Sequence, residues 1–289
     1  MVCGVILAGG MSRRFQVPGE SWVDKALYPV SGAPMIRVIY DKLREVTDHV
    51  VVALGSMGRV EAYKRVLGDF TPVEDDSLLR GPLAGIYSAL RACRSDVVIV
   101  TPVDMPYLSS LTLRDLLGVA NRCDVVSPIL PNGLIETTLL ALRRSTSLWI
   151  LEILRAHGRS RIADIHRGAP RLCLLNARKR GYKPLEFINI NRRDDLRVTS
   201  IDYPEGPLED DVVITRDFSR EDVEARSSRI RGSLWGTIYL GGYMSEFSLY
   251  ASSGAYMLAA YALLDSPHTY ERELGEMIIG MLKAPLQST

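Results

Sequence analysis

The chain has 289 residues, 47% of them hydrophobic and 24% charged, which is enough for one large domain with an addition or for two domains. Its 35 Lys and Arg against 34 Asp and Glu leave a net charge of +1; this excludes a bulk field that gathers nucleic acid, so any anion binding has to be local. Cys3, Cys93, Cys123 and Cys173 lie far apart with no CxxC pair, a spacing that predicts small buried hydrophobes rather than a zinc site or a disulfide framework, and with them a reducing, cytoplasmic compartment.

Val2 to Leu7 reads as a buried strand that runs straight into Ala8-Gly9-Gly10. The N-terminus therefore carries a glycine turn where a secretory leader would have its cleavage site. Neither glycine has a side chain to block a phosphate, and Ser12, Arg13 and Arg14 add donors and positive charge behind them. The loop matches neither the P-loop nor the GxGxxG pattern. Asp24-Lys25 follows, placing a compact ammonium beside an apolar stretch.

Met35, Ile36, Ile39, Leu43 and Val46 then recur at helical spacing, and His49 to Leu54 reads as a second strand. The loop from Glu74 to Gly81 holds Asp75 and Asp76, which can orient a nucleotide or a metal-bound water. Gly81-Pro82-Leu83-Ala84-Gly85 opens a helix with proline at its first position, a preorganised N-terminus able to face a base or an anion. Val97 to Val100 is a third strand, and Asp104 in Val103-Asp104-Met105-Pro106 stands just past its end, where a Mg²⁺ ligand is useful. Asp124 to Ser127 is a fourth strand, the pattern continues weakly through Leu139 to His157, and Phe187 to Ile190 reads as a strand before a short helix from Arg192. Such alternation predicts an α/β fold, a three-layer Rossmann-like and mostly parallel sheet with helices on both faces. Ligands on such sheets lie at the carboxyl ends of the strands.

Residues 202 to 211 are rich in Pro, Gly and acid, as linkers are. The division expected from this is one α/β domain over 1–200 and a mostly helical extension over 201–289. Within the extension, Ser219 and Asp222 have capping-box spacing, Phe247 to Leu264 reads as one buried helix too polar to span a membrane, and Pro267 to Leu282 is helical.

Taken together, Leu7 to Gly10, Arg14, Asp24-Lys25, Gly81 to Gly85 and Asp104 to Pro106, in this order and on these elements, resemble the MobA-like family of molybdenum cofactor guanylyltransferases. The resemblance covers about residues 1–197, because Asn189 and Asn191, followed by Asp194-Asp195-Leu196, are similar to the family's C-terminal asparagine motif. It implies GMP transfer from GTP to the terminal phosphate of a molybdopterin-type acceptor. It also implies nucleotide contacts for Leu7, Ala8, Gly9, Gly10, Ser12, Lys25, Asp76, Gly81 and Pro82, catalytic roles for Lys25, Arg14 and Asp104, Mg²⁺ on Asp104, and acceptor contacts for Asn189 and Asn191. Asp76 and Glu136 are the fallback acids. The chain departs from the pattern where Gln16 and an insertion, Val17 to Trp22, replace a glycine, and where Gly55 stands in place of an asparagine. CTP, a sugar-phosphate acceptor and a non-catalytic nucleotide-binding regulator stay open at this point, as does contact of the C-terminal region with a molybdoenzyme or a second copy.

Overall fold

The computed structural model describes residues 1–216, 219–227, 234–239 and 242–284. Its first strand, β1 (Val2–Leu7), lies inside an eight-stranded sheet of order β10-β9-β7-β8-β6-β1-β4-β5. The other strands are β4 (His49–Ala53), β5 (Thr71–Val73), β6 (Val97–Pro102), β7 (Val125–Ile129), β8 (Leu140–Arg143), β9 (Arg171–Asn176) and β10 (Val212–Thr215), while β2 (Pro29–Val30) and β3 (Ala33–Pro34) form a separate small hairpin. Pairing is parallel except that β8 runs against both neighbours and β10 against β9. All five residues of β7 are buried, as are the last four of β4. Strands that are covered on both faces read as continuous apolar runs, which is why these two were legible.

The covering helices in the first part of the chain are α1 (Met35–Arg44), α2 (Val60–Leu67), α3 (Pro82–Ala92), α4 (Ser110–Val119), α5 (Arg144–Ala156) and α6 (Ala163–Gly168). The expected mostly parallel α/β architecture is present. Helix α3 starts as its sequence predicts: Gly81 has φ +62°, a left-handed value that suits glycine, and Pro82 occupies the first turn, where no N–H is needed.

Three expectations are corrected. Phe187 to Ile190 is not a strand: Pro184–Phe187 is a 3₁₀ turn, and the residues after it lie beyond the end of β6, where Ile190 N donates to Asp104 O at 2.8 Å. Phe247 to Leu264 is not one helix but parts of two, α9 (Tyr243–Ser252) and α10 (Tyr256–Leu263), because Gly254 takes φ +80° between them. The cysteines are not free: Cys3 pairs with Cys93 and Cys123 with Cys173, each with Cα atoms 6.0 Å apart. Separations of 90 and 50 residues hid pairings that exist only once β1 meets the end of α3 and β9 meets the start of β7. The cysteine-based ground for a reducing compartment goes with them.

The segment 202–211 is irregular, as its composition predicts, but the chain then re-enters the sheet. Strand β10 buries Val212 and Ile214 and turns Val213 outward, the alternation of an edge strand. Beyond it come α7 (Arg220–Ser227), α8 (Leu234–Tyr239), α9, α10 and α11 (Thr269–Lys283), and Ser219 and Asp222 make the expected reciprocal cap. Trp235 on α8 is fully buried against α6; a Cβ at Gly168 would lie 2.7 Å from its ring.

A buried ionic cluster ties the same seam. Arg167 forks onto both carboxylate oxygens of Glu246 at 2.7 Å and also reaches Asp164 and Asp265, each at 2.8 Å. Arg159 and Arg161 complete it on Asp265. Burial favours a neutral Arg167, yet the facing Glu246 outweighs it and raises the guanidinium pKa. No helix among the described residues is long and apolar enough to cross a membrane.

Candidate active site

The carboxyl ends of β1 and β6 converge, and four of the expected side chains meet there. Lys25 Nζ lies 2.6 Å from Asp104 Oδ2 and 3.2 Å from both Ile190 O and Asn191 Oδ1. Arg14 donates to the same Asn191 oxygen at 3.1 Å. The group is partly buried, with Lys25 12% and Asp104 17% exposed at the side chain. Lys25 has Asp104 as its carboxylate partner whereas Arg14 reaches only an amide oxygen, so the arginine's charge is left for an incoming anion.

Ser12 fixes the lysine from the other side. It holds φ +52°, uncommon for a non-glycine residue, and its Oγ accepts the Lys25 backbone N–H at 3.1 Å. Gln16 closes the loop by donating to Ser12 O and Val23 O, both at 2.8 Å, and accepting from Val23 N at 2.9 Å. The insertion from Val17 to Trp22 is thus an excursion with its ends tied together, and it leaves Asp24-Lys25 in place.

Arg59, which the sequence reading did not single out, organises the glycine loop. Its Nη1 donates to Ala8 O at 2.7 Å and Leu54 O at 2.9 Å, and its Nη2 pairs with Asp24 and with Tyr63 Oη at 2.8 Å. Tyr63 in turn donates to Asp24 at 2.8 Å, and burial with the neighbouring Asp24 raises its phenol pKa. Nothing in the spacing of Arg59 marks it, because its partners are mostly backbone carbonyls brought in by the fold.

Gly9 and Gly55 pack back to back. A Cβ at Gly55 would lie 2.8 Å from Gly9 O, and one at Gly9 would lie 2.6 Å from Asp75 Oδ2. The departure at Gly55 therefore has a steric cause: with φ +71° and the loop backbone against it, the position has no room for an asparagine. Asp75 sits beside it, its pKa raised by burial, with Oδ1 buried and without a hydrogen-bond partner. Gly10 differs from Gly9, since a Cβ there meets no protein atom within 4 Å and its face of the loop is open.

Asp76 stands apart from the lysine cluster. Its Oδ1 accepts from the N–H groups of Leu78 and Leu79 and from Arg155 Nε at 3.2 Å. Burial works against its charge, but these donors hold its pKa below the ordinary carboxylate range. Gly81 and Pro82 form the start of α3, and Leu7 and Ala8 lead into the glycine loop. Asn189 reaches a different partner, its Nδ2 lying 3.5 Å from Glu136 Oε2. Burial raises the Glu136 pKa, and the nearby charge of Asp104 raises it further. Carboxylate oxygens are the hard donors that Mg²⁺ takes, so the chemistry of Asp104, with the charge of Glu136 near it, is compatible with that ion.

A glycine loop at the end of β1, a lysine on a strand-end aspartate and an arginine on the asparagine beside it define a nucleotidyltransferase of the α/β class. Residues 4–171 match the model of the MobA-like NTP transferase domain. A probable molybdenum cofactor guanylyltransferase of Haloferax mediterranei is 30% identical over 68% of this chain and 92% of its own length. One of Bacillus subtilis is 31% identical over 66% and 91%. The crystal structure of molybdopterin-guanine dinucleotide biosynthesis protein A from Archaeoglobus fulgidus superposes with a TM-score of 0.56 at 22% identity, covering 68% of this chain and 95% of that one, a likeness of fold. The chain belongs to the MobA-like NTP transferase family.

Proposed function

We propose that the protein transfers GMP from GTP to the terminal phosphate of a molybdopterin-type cofactor, and that it does so in the cytoplasm. The observation that carries this reading is the meeting of Lys25, Arg14, Asp104 and Asn191 at the carboxyl ends of β1 and β6. The names of the two relatives supply the substrate class.

In the reaction an acceptor phosphate oxygen forms a bond to the α-phosphorus of GTP while the bond from that phosphorus to the bridging α–β oxygen breaks and pyrophosphate leaves. A phosphate monoester is largely ionised at neutral pH, so the nucleophile needs no strong base. The work left to the chain is positioning and charge neutralisation. Backbone N–H groups of Gly9 and Gly10, with Ser12 behind them, cradle the triphosphate, Leu7 and Ala8 lead the chain into that loop, and Gly81 and Pro82 bring the start of α3 against the nucleotide. Lys25 and Arg14 exchange their contacts with Asn191 and Asp104 for phosphate oxygens. Asp76, held ionised by Arg155 and two N–H groups, lies on the nucleotide side as a fixed acceptor. Asn189 and Asn191 face the acceptor. Asp104, with Glu136 beside it, would hold Mg²⁺, which when bound neutralises charge on the phosphates.

The residues given a role in this chemistry all lie within 1–200, and 201–289 are assigned as an extension to that domain. Contact with a molybdoenzyme or a second copy belongs to the exposed residues of α11, among them Tyr270, Leu274, Met277 and Met281. Pyrophosphate release measured with molybdopterin and each of GTP, CTP, ATP and UTP tests the proposal: GTP is expected to be preferred. Preference for CTP, or turnover only with a sugar phosphate, would replace it.

A further inference from the structure

At the amino-terminal end of the strands, opposite the active site, lies a second cluster of reactive side chains. Cys3 on β1 and His49 on β4 are direct partners in the parallel register, and Cys93 caps the end of α3 above them. The sulfur atoms of Cys3 and Cys93 and a ring nitrogen of His49 all lie within 4.8 Å of one another. Both cysteines are fully buried, whereas His49 is only partly so and opens the group to solvent. The other disulfide differs: among the described residues no third ligand-bearing side chain joins Cys123 and Cys173.

We propose that Cys3, Cys93 and His49 are a redox-gated site for a soft divalent cation, Zn²⁺ being the natural occupant. In the oxidised protein the two sulfurs are bonded to each other. A dithiol reductant delivers two electrons and two protons to Cys3–Cys93, giving two thiols and leaving the reductant as its own disulfide. Zn²⁺ then displaces both thiol protons to solvent and is held by two thiolates and the neutral His49 ring, with its fourth position open to water. Two thiolates cancel the charge of the cation, so the complex adds no net charge to a buried place, and sulfur with imidazole nitrogen is the donor set that selects zinc over magnesium. Oxidation by a disulfide reverses the exchange and releases the metal.

The site joins the elements whose far ends form the nucleotide loop and the start of α3. Either state, disulfide or metal, cross-links β1 to α3, and only the reduced, metal-free protein lacks that link.

The test uses the full-length protein reduced with a phosphine under anaerobic conditions, checked for four titratable thiols, and titrated with Co²⁺ alone. Expected are one equivalent of Co²⁺ bound, a thiolate-to-cobalt absorption band in the near ultraviolet, its loss on addition of Zn²⁺, and no band in the oxidised protein. His49→Gln, a partly exposed position that should not upset folding, is expected to weaken binding by about 100-fold, and Cys123→Ser to leave it unchanged. The absence of a band in the four-thiol protein would overturn the proposal, as would a band unaffected by His49→Gln or one that disappears in Cys123→Ser.

Discussion

Two clusters of basic and acidic side chains lie in different parts of this molecule, and their contrast separates chemistry from architecture. Around Arg167, three arginines face three carboxylates, and both Arg167 and Asp164 are wholly buried. Every charge has its partner, so the cluster has nothing to offer a ligand. Around Lys25, the lysine holds Asp104, Arg14 shares with it only the amide oxygen of Asn191, and the group stays open at the ends of the strands. That site is left unbalanced, and a polyanionic substrate with its metal completes it. A balanced buried cluster adds little net stability over apolar packing but is costly to break, whereas an unbalanced accessible one is costly only to turnover.

The largest effect is expected on the architectural side. Glu246→Ala leaves the Arg167 guanidinium buried with one of its three carboxylate partners gone and should cost about 3–5 kcal/mol of stability. Denaturant midpoints give the loss, and turnover per folded molecule should be unchanged. A change in turnover instead would join the two clusters functionally and break the contrast. Asp104→Asn should do the reverse, lowering turnover by roughly 10² or more, about 3 kcal/mol of barrier, with little change in the melting temperature of the nucleotide-free protein. Near-parent turnover under saturating Mg²⁺ would move the metal role to Asp76 or Glu136.

Acid should act on the architectural side first. Burial lowers the His166 pKa to about 4 in the folded protein, and its ring nitrogen lies 2.9 Å from Ser127 Oγ. With an unfolded value of about 6.5, the unfolded chain takes up the proton first as pH falls. Stability is therefore full above that value and declines between it and about 4, by about 2 kcal/mol at pH 5. Melting curves from pH 7.5 to 5 should show the decline in the parent and a flatter profile in His166→Asn; equal slopes would place the acid sensitivity elsewhere. Smaller still, Asn189→Ala with Asn191→Ala should raise the acceptor KM while leaving GTP affinity within about a few-fold, since a neutral amide contact contributes about 1 kcal/mol. A large loss of GTP binding would put the asparagines on the nucleotide side.

What the sequence revealed follows the same line. The strands β1, β4, β6 and β7 and the helices α1 and α3 were legible because continuous apolar runs and period-3.6 patterns are local. Lys25, Asp104, Arg14 and Asn191 came from motif order, and the structure brings the four together across up to 177 residues. Arg59 was not legible, because it serves backbone carbonyls that have no sequence signature. Neither were the two disulfides, the strand β10 nor the Arg167 seam, since each depends on a partner fixed by topology. Gly55 was readable only as a departure, and its reason, the Gly9 backbone against it, is purely spatial.

The claim that the unbalanced cluster is the nucleotide site is tested most directly by thermal stabilisation with GTP and Mg²⁺ in the parent and in Asp104→Asn. A ligand present at about 100 times its dissociation constant stabilises by about 2.7 kcal/mol. The parent should show a rise in melting temperature of that origin that needs both GTP and Mg²⁺, and Asp104→Asn should lose most of the Mg²⁺-dependent part. An equal shift in both proteins, or a parent shift indifferent to Mg²⁺, would contradict the account.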